Sequence, residues 1–259
     1  MYDKELEVAK KLAVDAGKLI MHVYIDESYD INIKSDESPV TTADHLANDL
    51  IVKELKKEFP QYAILAEESE DDLTRRDNDY CWLVDPLDGT KEFIKHNDEF
   101  SVNIALVYKK RPVLGVIYIP VTEELYYAVE ESGAFYEADG VYKKKIYVSD
   151  KIDEIKALRS RSRISQKLTD IYENESKITE VIKMGSSIKG CFIAKGEAEI
   201  YYSFGKTMEW DTAAMEIVVS EAGGIFRQLD DSIMYYNRKT STNNNGFYII
   251  NKKKNKLRL

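Results

Sequence analysis

The sequence predicts an α/β protein with an α+β character, its middle built from a run of antiparallel strands, and three observations carry that prediction. Apolar residues near the N-terminus recur at three- and four-residue spacing. Four strand-like runs follow one another from Ser101, and beyond Ile146 strands alternate with helical stretches.

Taken in order, Leu6, Ala9, Leu12, Ala13, Ala16, Leu19 and Ile20 mark one face of a helix over residues 3–23. A second helix is expected from Thr41 or Thr42, with Leu46, Leu50, Ile51 and Leu55 on one face, stopping before Pro60. "YAILAEES" and "YCWLV" read as short strands that finish in acids at a common edge. "SVNIALVY", "PVLGVIYI", "ELYYAVE" and "GAFYE" are the antiparallel run. After it come the strand-like "IKALRSRS", helical "ISQKLTDIYENE", extended "ITEVIKMG", helical "SSIKGCFIAKGE", extended "AEIYYSF" and helical "DTAAMEIVVSEAGG". No Pro/Gly/Ser-rich linker divides the chain. Two intimately packed halves are expected, residues 1–148 and 149–259.

Composition narrows the function. The 259 residues are 44% hydrophobic and 32% charged, ordinary for a folded domain. No apolar run approaches the ~18 residues of a membrane span, and the N-terminus lacks a secretory stretch, so a cytoplasmic protein without stable membrane insertion is expected. The basic tail "NKKKNKLRL" reads as a frayed, solubilising end, with peripheral attachment to an anionic membrane as the lesser alternative. A formal charge of −9 argues against binding a nucleic-acid polymer. It leaves room for a small anion where bound divalent cations reverse the local field. Cys81 and Cys191 are too few for a disulfide framework, and His22, His45 and His96 have no evident catalytic partners.

The informative residues are acids at element ends: Asp44 in "VTTAD", Glu67 and Glu68 after "AILA", Asp85 and Asp88 in "WLVDPLDGT", and Asp211 in "EWDTAA". Each has a bland reading. Asp211 could N-cap the helix beginning at "TAAMEI", Asp88 a helix beginning at Gly89, and Glu68 could be an exposed acid of "EESEDD". The repetition of apolar strand, acid and small residue favours hard oxygen ligands for Mg²⁺. Pro86 stiffens the bend between two carboxylates, and Gly89 opens the backbone to a ligand. A helix starting at Gly89-Thr90 would turn its positive end toward a phosphate. Metal-assisted phosphoryl transfer to water follows. A nucleophile elbow, a Walker loop and a dinucleotide fingerprint are missing from the sequence. A paired-carboxylate glycosidase would leave the glycine and threonine of DPLDGT unexplained.

With "LAEES", "WLVDPLDGT" and "EWDTAAMEIVVSEAGG" in this order, the chain resembles the inositol monophosphatase superfamily of Mg²⁺-dependent, lithium-sensitive phosphatases. "DGTKEFI", "DEFSVNIALV", "VLGVIYIP" and "MGSSIKGCFIAKGEAEIYY" make it most similar to the 3′(2′),5′-bisphosphate nucleotidases of the CysQ type. The resemblance implies a layered α/β/α/β/α sandwich of the inositol monophosphatase and fructose 1,6-bisphosphatase type. It also implies two Mg²⁺ ions, with a third entering alongside substrate left open. Carried over, Glu67, Asp85 and the Leu87 carbonyl would hold one ion, and Asp85, Asp88 and Asp211 the other. Thr90, polarised by Asp44, would orient the attacking water, with Glu67 beside it in the catalytic set. The backbone of Leu87, Asp88, Gly89 and Thr90 would hold the scissile phosphate, close to Glu67 and Asp211.

Gly185, Ser186 and Lys189 match a segment that contacts nucleotide, although Lys189 could equally be a helix-surface lysine. Arg163 stands where the family often has histidine, and Tyr236 and Arg238 are further contacts near the base or second phosphate. Trp210 is expected in the core. The implied activity is release of the 3′-phosphate of adenosine 3′,5′-bisphosphate to give AMP. Inositol monophosphatase and fructose 1,6-bisphosphatase activities are the alternatives, and a non-catalytic phosphate-binding protein ranks below them. The partner is a small anionic phosphate ester, and a monomer or a homodimer is equally compatible.

Overall fold

The computed structural model describes residues 2–26, 30–34, 39–138, 140 and 142–259. The first half opens with α1 (Asp3–Asp26), a ribbon of β1 (Ile31–Ile33) and β2 (Pro39–Thr41), and α2 (Thr42–Glu58). β3 (Ala63–Ala66), β4 (Tyr80–Asp88), the short α3 (Thr90–Ile94), β5 (Ser101–Tyr108), β6 (Arg111–Ile119), β7 (Glu124–Val129), β8 (Gly133–Ala138) and β9 (Tyr142–Ile146) follow. β3 to β9 form a seven-stranded sheet in chain order, with β3 and β4 parallel and the later pairs antiparallel.

The second half runs β10 (Ile155–Ser160), α4 (Gln166–Asn174), β11 (Ile178–Met184), α5 (Ile188–Ala194), β12 (Ile200–Ser203), β13 (Thr207–Met208), α6 (Glu209–Glu221), β14 (Ile225–Gln228), β15 (Thr242–Asn243) and β16 (Phe247–Ile250). Its main sheet has the order β11-β10-β12-β16-β14.

Burial explains the layering. Helices α1 and α2 cover one face of the large sheet through Ala13, Ile20, Ile51 and Leu55, packed with Trp82, Val84, Ile104 and Leu106. Its other face meets α5 and α6, whose Cys191, Ile193, Ala214 and Val218 share one core with Leu83, Ala105 and Ile117 and with Leu158 and Ile249 of the second sheet. Helix α4 closes the outer face through Leu168 and Tyr172. The result is the α/β/α/β/α sandwich. Covered on both faces, β5 is buried at every position but its last, which is why "SVNIALVY" reads as a continuous apolar run instead of an alternating one.

The basic tail differs from the expected frayed end. Leu257 is buried, its backbone N–H donates to Tyr202 Oη at 2.8 Å, and Asn255 Nδ2 donates to the Lys151 carbonyl at 2.8 Å. The apolar Leu257 and the two amide bonds tie the segment down, while Lys253 and Lys254 point to water. His96, for which no catalytic partner is evident in the sequence, has a packing contact, its ring stacked on Tyr24 with centroids 4.4 Å apart.

Gly115 lets α6 lie close on the sheet: a Cβ there would stand 2.9 Å from both Cα and the carbonyl oxygen of Ala214. Gly115→Val should therefore push α6 off β6. It is expected to lower stability by about 1–3 kcal/mol, read as a lower urea midpoint with little change in slope.

Candidate active site

The parallel register of β3 and β4 pairs Ala66 with Val84, so the residues that follow, Glu67 and Asp85, emerge side by side. The Glu67 N–H donates to the Val84 carbonyl at 3.1 Å and holds that alignment past the strand end. Asp211 arrives from the other direction on the first turn of α6. Ligand oxygens of Glu67, Asp85 and Asp211 all lie within 4.8 Å of one another, the one such group of metal-ligating side chains among the described residues.

Asp211 is not the N-cap. Helix α6 begins at Glu209, three residues before a helix capped by Asp211 would, and Asp211 sits at its third position with Oδ2 accepting from the Met208 N–H at 2.8 Å. Asp44 occupies the same place in α2: Oδ2 accepts from Thr41 N–H at 2.7 Å and Thr41 Oγ1 at 2.6 Å. Its second oxygen, Oδ1, accepts from Thr90 Oγ1 at 3.1 Å. Each acid uses one oxygen to satisfy a helix start, leaving the other for Thr90 in the case of Asp44 and for the acidic cluster in the case of Asp211.

Asp88 lies outside the 4.8 Å set but lines the same cleft. It does not cap α3, whose N-cap is Gly89. Its Oδ2 accepts from Ser187 Oγ at 2.7 Å and Asn103 Nδ2 at 3.2 Å, and Ser187 Oγ also lies 3.1 Å from the Asp211 carbonyl oxygen. Asn103 and Ser187 thus tie Asp88 to the first turn of α6. Sequence reading passed over Asn103, whose apolar neighbours in β5 conceal its inward turn.

Gly89 has φ of 101°, and a Cβ there would meet the Glu99 carbonyl oxygen at 2.8 Å, so the turn admits no side chain. Helix α3 has only five residues, which leaves its macrodipole small and puts the weight of the loop on individual N–H groups.

The site is electrostatically frustrated in the absence of a cation. Burial pushes the Asp85 carboxyl well above its usual range, reinforced by Glu67, Asp88, Asp211 and Asp44. Burial likewise raises Asp211 to about 8, helped by Asp88 and Glu67. Burial raises Glu67 and Asp44 as well, with Lys34 opposing the shift at Glu67. Lys34 Nζ lies 2.7 Å from Glu67 Oε1 and also bonds Glu68. Glu68 is therefore not the exposed acid expected; its side chain is 5% exposed under that ion pair. The donors gathered here are carboxylate oxygens without histidine or cysteine, a set that fits a hard divalent cation such as Mg²⁺ or Ca²⁺.

The cleft encloses about 470 Å³ and its lining is mixed in character. Besides the acids it is walled by the polar and cationic Ser160, Ser162, Arg163, Gly185, Ser186 and Lys189 and by the less polar Ile164, Leu168, Tyr201 and Phe204. Lys189 is no helix-surface residue: it is 5% exposed, its Nζ donates to the carbonyls of Met184 (3.3 Å) and Ser186, and it lies 5.2 Å from the Tyr201 ring centroid. Burial lowers its pKa to about 8, against the opposing pull of Asp88, Glu92 and Glu99. Arg163 Nη1 donates to the Lys206 carbonyl.

Tyr236 and Arg238 are not in the cleft wall. Tyr236 is fully buried with Oη on Glu216 at 2.6 Å, and Arg238 Nε pairs with the buried Glu209 at 2.8 Å. They serve the footing of α6. Trp210 packs against the inter-sheet core as expected, its indole N–H without a hydrogen-bond partner.

A model of the inositol monophosphatase family matches residues 1–258. The chain is 40% identical to the 3′(2′),5′-bisphosphate nucleotidase CysQ of Salmonella typhimurium over 246 residues, covering 94% of this chain and 98% of that protein. It is 40% identical over 253 residues to the enzyme of the same name from Buchnera aphidicola, covering 96% and 94%. Among solved structures, CysQ of Bacteroides thetaiotaomicron superposes with a TM-score of 0.86 at 37% identity, covering 97% of this chain and 98% of that one.

A cation that binds the folded chain alone should stabilise it by about 2.7 kcal/mol at 100 times its Kd, a melting shift of roughly 5 °C. Differential scanning fluorimetry with Mg²⁺ should show that rise. Asp85→Asn should melt no lower than wild type without Mg²⁺, because one repelling charge is gone, and should lose most of the Mg²⁺ shift.

Proposed function

Because the chain belongs to the inositol monophosphatase family, we propose that it is a divalent-cation-dependent 3′(2′),5′-bisphosphate nucleotidase. On this reading it releases the 3′-phosphate of adenosine 3′,5′-bisphosphate to give AMP. The observation that carries the reading is the lining of one cleft, which brings together the acidic cluster, the cationic Arg163 and Lys189, and the apolar Ile164 and Phe204. A substrate matched to it has a scissile phosphate, a second anionic group and a flat apolar base. The 40% identity to enzymes of that name supports the same choice.

Glu67, Asp85 and the Leu87 carbonyl would hold one Mg²⁺, and Asp85, Asp88 and Asp211 a second. Bound there, Mg²⁺ supplies Lewis-acid polarisation of the phosphate and a more acidic water. The chain supplies orientation. Thr90 Oγ1 donates to Asp44 and so turns its lone pairs toward the cleft, where they can take a hydrogen bond from the attacking water. The backbone from Leu87 to Thr90 receives the scissile phosphate, in a turn that only a glycine at position 89 allows because a Cβ there would meet the Glu99 carbonyl oxygen. Arg163 and Lys189 meet the 5′-phosphate, and the base lies against Ile164 and Phe204. The side chains that bind the non-reacting end would thereby fix the phosphorus relative to the water, the positional part of rate enhancement.

Two measurements test this. Phosphate release from adenosine 3′,5′-bisphosphate, inositol 1-phosphate and fructose 1,6-bisphosphate, each with Mg²⁺, should show kcat/KM highest for the nucleotide. A clear preference for either sugar phosphate overturns the assignment.

The second measurement uses the Lys189 ammonium, which is faced by Asp88, Glu92, Glu99 and Arg163 and deprotonates near pH 8 instead of the ordinary 10.5. KM for the bisphosphate should therefore climb as pH rises through about 8. In Lys189→Met, KM should start higher and lose that climb. The sign for folding is opposite: the buried charge opposes folding fully below about pH 8, and the opposition is relieved as pH approaches 10.5.

A further inference from the structure

Glu92 is a buried carboxylate, 6% exposed, in the wall of a cleft suited to anions. Its charge opposes any phosphate bound nearby, so its presence calls for an offsetting role. It accepts a hydrogen bond from the hydroxyl of Ser162, seventy residues further along the chain, in the loop after β10. A second carboxylate of the first half makes a parallel link. Glu99 pairs with the Arg161 guanidinium and accepts the Gly185 N–H at 2.7 Å, while Arg161 Nη2 donates to the Lys183 carbonyl at 2.9 Å.

The loops that follow the parallel strands β10 and β11 therefore hang from two acids of the other half. The loop after β10 carries Arg163, which is itself exposed and anchored on its far side by the Lys206 carbonyl. Adjacent residues of the loop are thus held in two directions, Ser162 by Glu92 and the Arg163 guanidinium by the Lys206 carbonyl. An exposed segment of alternating serine and arginine has little apolar surface with which to fix itself.

We infer that Glu92 is a positioning residue which, through Ser162, holds Arg163 against the phosphate that is not cleaved and so selects bisphosphorylated over monophosphorylated nucleotides. This rests on the nucleotidase reading and adds to it the residue that sets the selectivity. Glu92 touches neither the acidic cluster nor Thr90 through any hydrogen bond, so its effect should fall on discrimination between substrates.

The test compares adenosine 3′,5′-bisphosphate with adenosine 3′-monophosphate at pH 7 for wild type, Glu92→Ala, Glu92→Gln, Ser162→Ala and the Glu92→Ala/Ser162→Ala pair, with melting curves as a check of folding. In Glu92→Ala and Ser162→Ala the bisphosphate-to-monophosphate ratio of kcat/KM should fall at least tenfold, chiefly through KM for the bisphosphate. Glu92→Gln keeps an acceptor and should stay within threefold of wild type. The double variant should be no worse than Glu92→Ala. Equal losses on both substrates, a loss in kcat alone, or Glu92→Gln as damaged as Glu92→Ala would overturn the inference. Ser162 is exposed, so its variant decides the matter even where Glu92→Ala folds poorly. A wild-type chain that hydrolyses neither nucleotide sinks the nucleotidase reading itself, whereas normal wild-type turnover with unchanged discrimination in the variants sinks this inference alone.

Discussion

Mutual repulsion among Glu67, Asp85, Asp88 and Asp211 at the seam between two sheets is the constraint on which the molecule turns. Removing one carboxylate from water is unfavourable by several kcal/mol unless its charge is compensated, and here several are withdrawn into one small volume. Lys34 reaches Glu67 and Glu68, which leaves Asp85 and Asp211 with hydrogen bonds, and with carboxyl groups that burial and their neighbours push toward the protonated form. Such a cluster persists only where the backbone holds the acids regardless of their preference. The scaffold accordingly concentrates its rigidity here: a parallel strand pair for Glu67 and Asp85, a helix start for Asp211, and the Asn103–Ser187 link for Asp88.

The footing of α6 shows how far that rigidity extends. Glu209 is fully buried and accepts from the backbone N–H of Asn237 at 2.6 Å and of Arg238 at 3.1 Å. Asn237 Oδ1 in turn accepts from Arg75 Nη1 at 2.5 Å, and Arg75 belongs to the segment that joins β3 to β4. A continuous chain of hydrogen bonds thus runs from the strand pair bearing Glu67 and Asp85 to the first turn bearing Asp211. The two sides of the acidic cluster are braced against each other through a second route, remote from the repulsion itself.

Much of this architecture is legible in the sequence, and the exceptions have a common physical origin. Helices α1 and α2 announce themselves because one face of each is buried and the other is wet, although Leu46, expected on the buried face of α2, is exposed and Ala43, Ala47 and Asn48 lie there with Ile51 and Leu55. β3 and β4 announce themselves because apolar runs stop abruptly in acids. β1, β2, β13 and β15 are two or three residues long, too short for any periodicity to register. β9, "YKKKI", hides because an edge strand can carry lysines that a central one cannot. At the site, acids at element ends are visible as a pattern, whereas their partners are not. Glu68 passes for a solvated acid until Lys34 is placed over it, and Arg238 passes for an anion contact until Glu209 is found beside it. Lys189 passes for a surface lysine on a short helix until burial is known. For Glu68 and Arg238 the deciding fact is a contact between residues far apart in sequence, and for Lys189 it is burial by the fold around it, neither of which local composition can encode.

The division of labour along the cleft follows from the same geography. The acids belong to strand ends and helix starts deep in the sandwich, where displacement would break main-chain bonds. The far wall belongs to the loops after β10 and β11 and to the segment after β12, where Ile164 and Arg163 are exposed and where few main-chain bonds would be lost by a change of sequence. A scaffold so arranged can keep its carboxylates fixed while the opposite wall is rebuilt for a different leaving group. The carboxylate cluster therefore speaks to the class of reaction, and the wall formed by Ser162, Arg163, Lys189 and Phe204 speaks to the molecule that undergoes it. Glu92 and Glu99 join the two regions: they rise from the segment that follows the DPLDGT loop, yet the groups they grip belong to the wall.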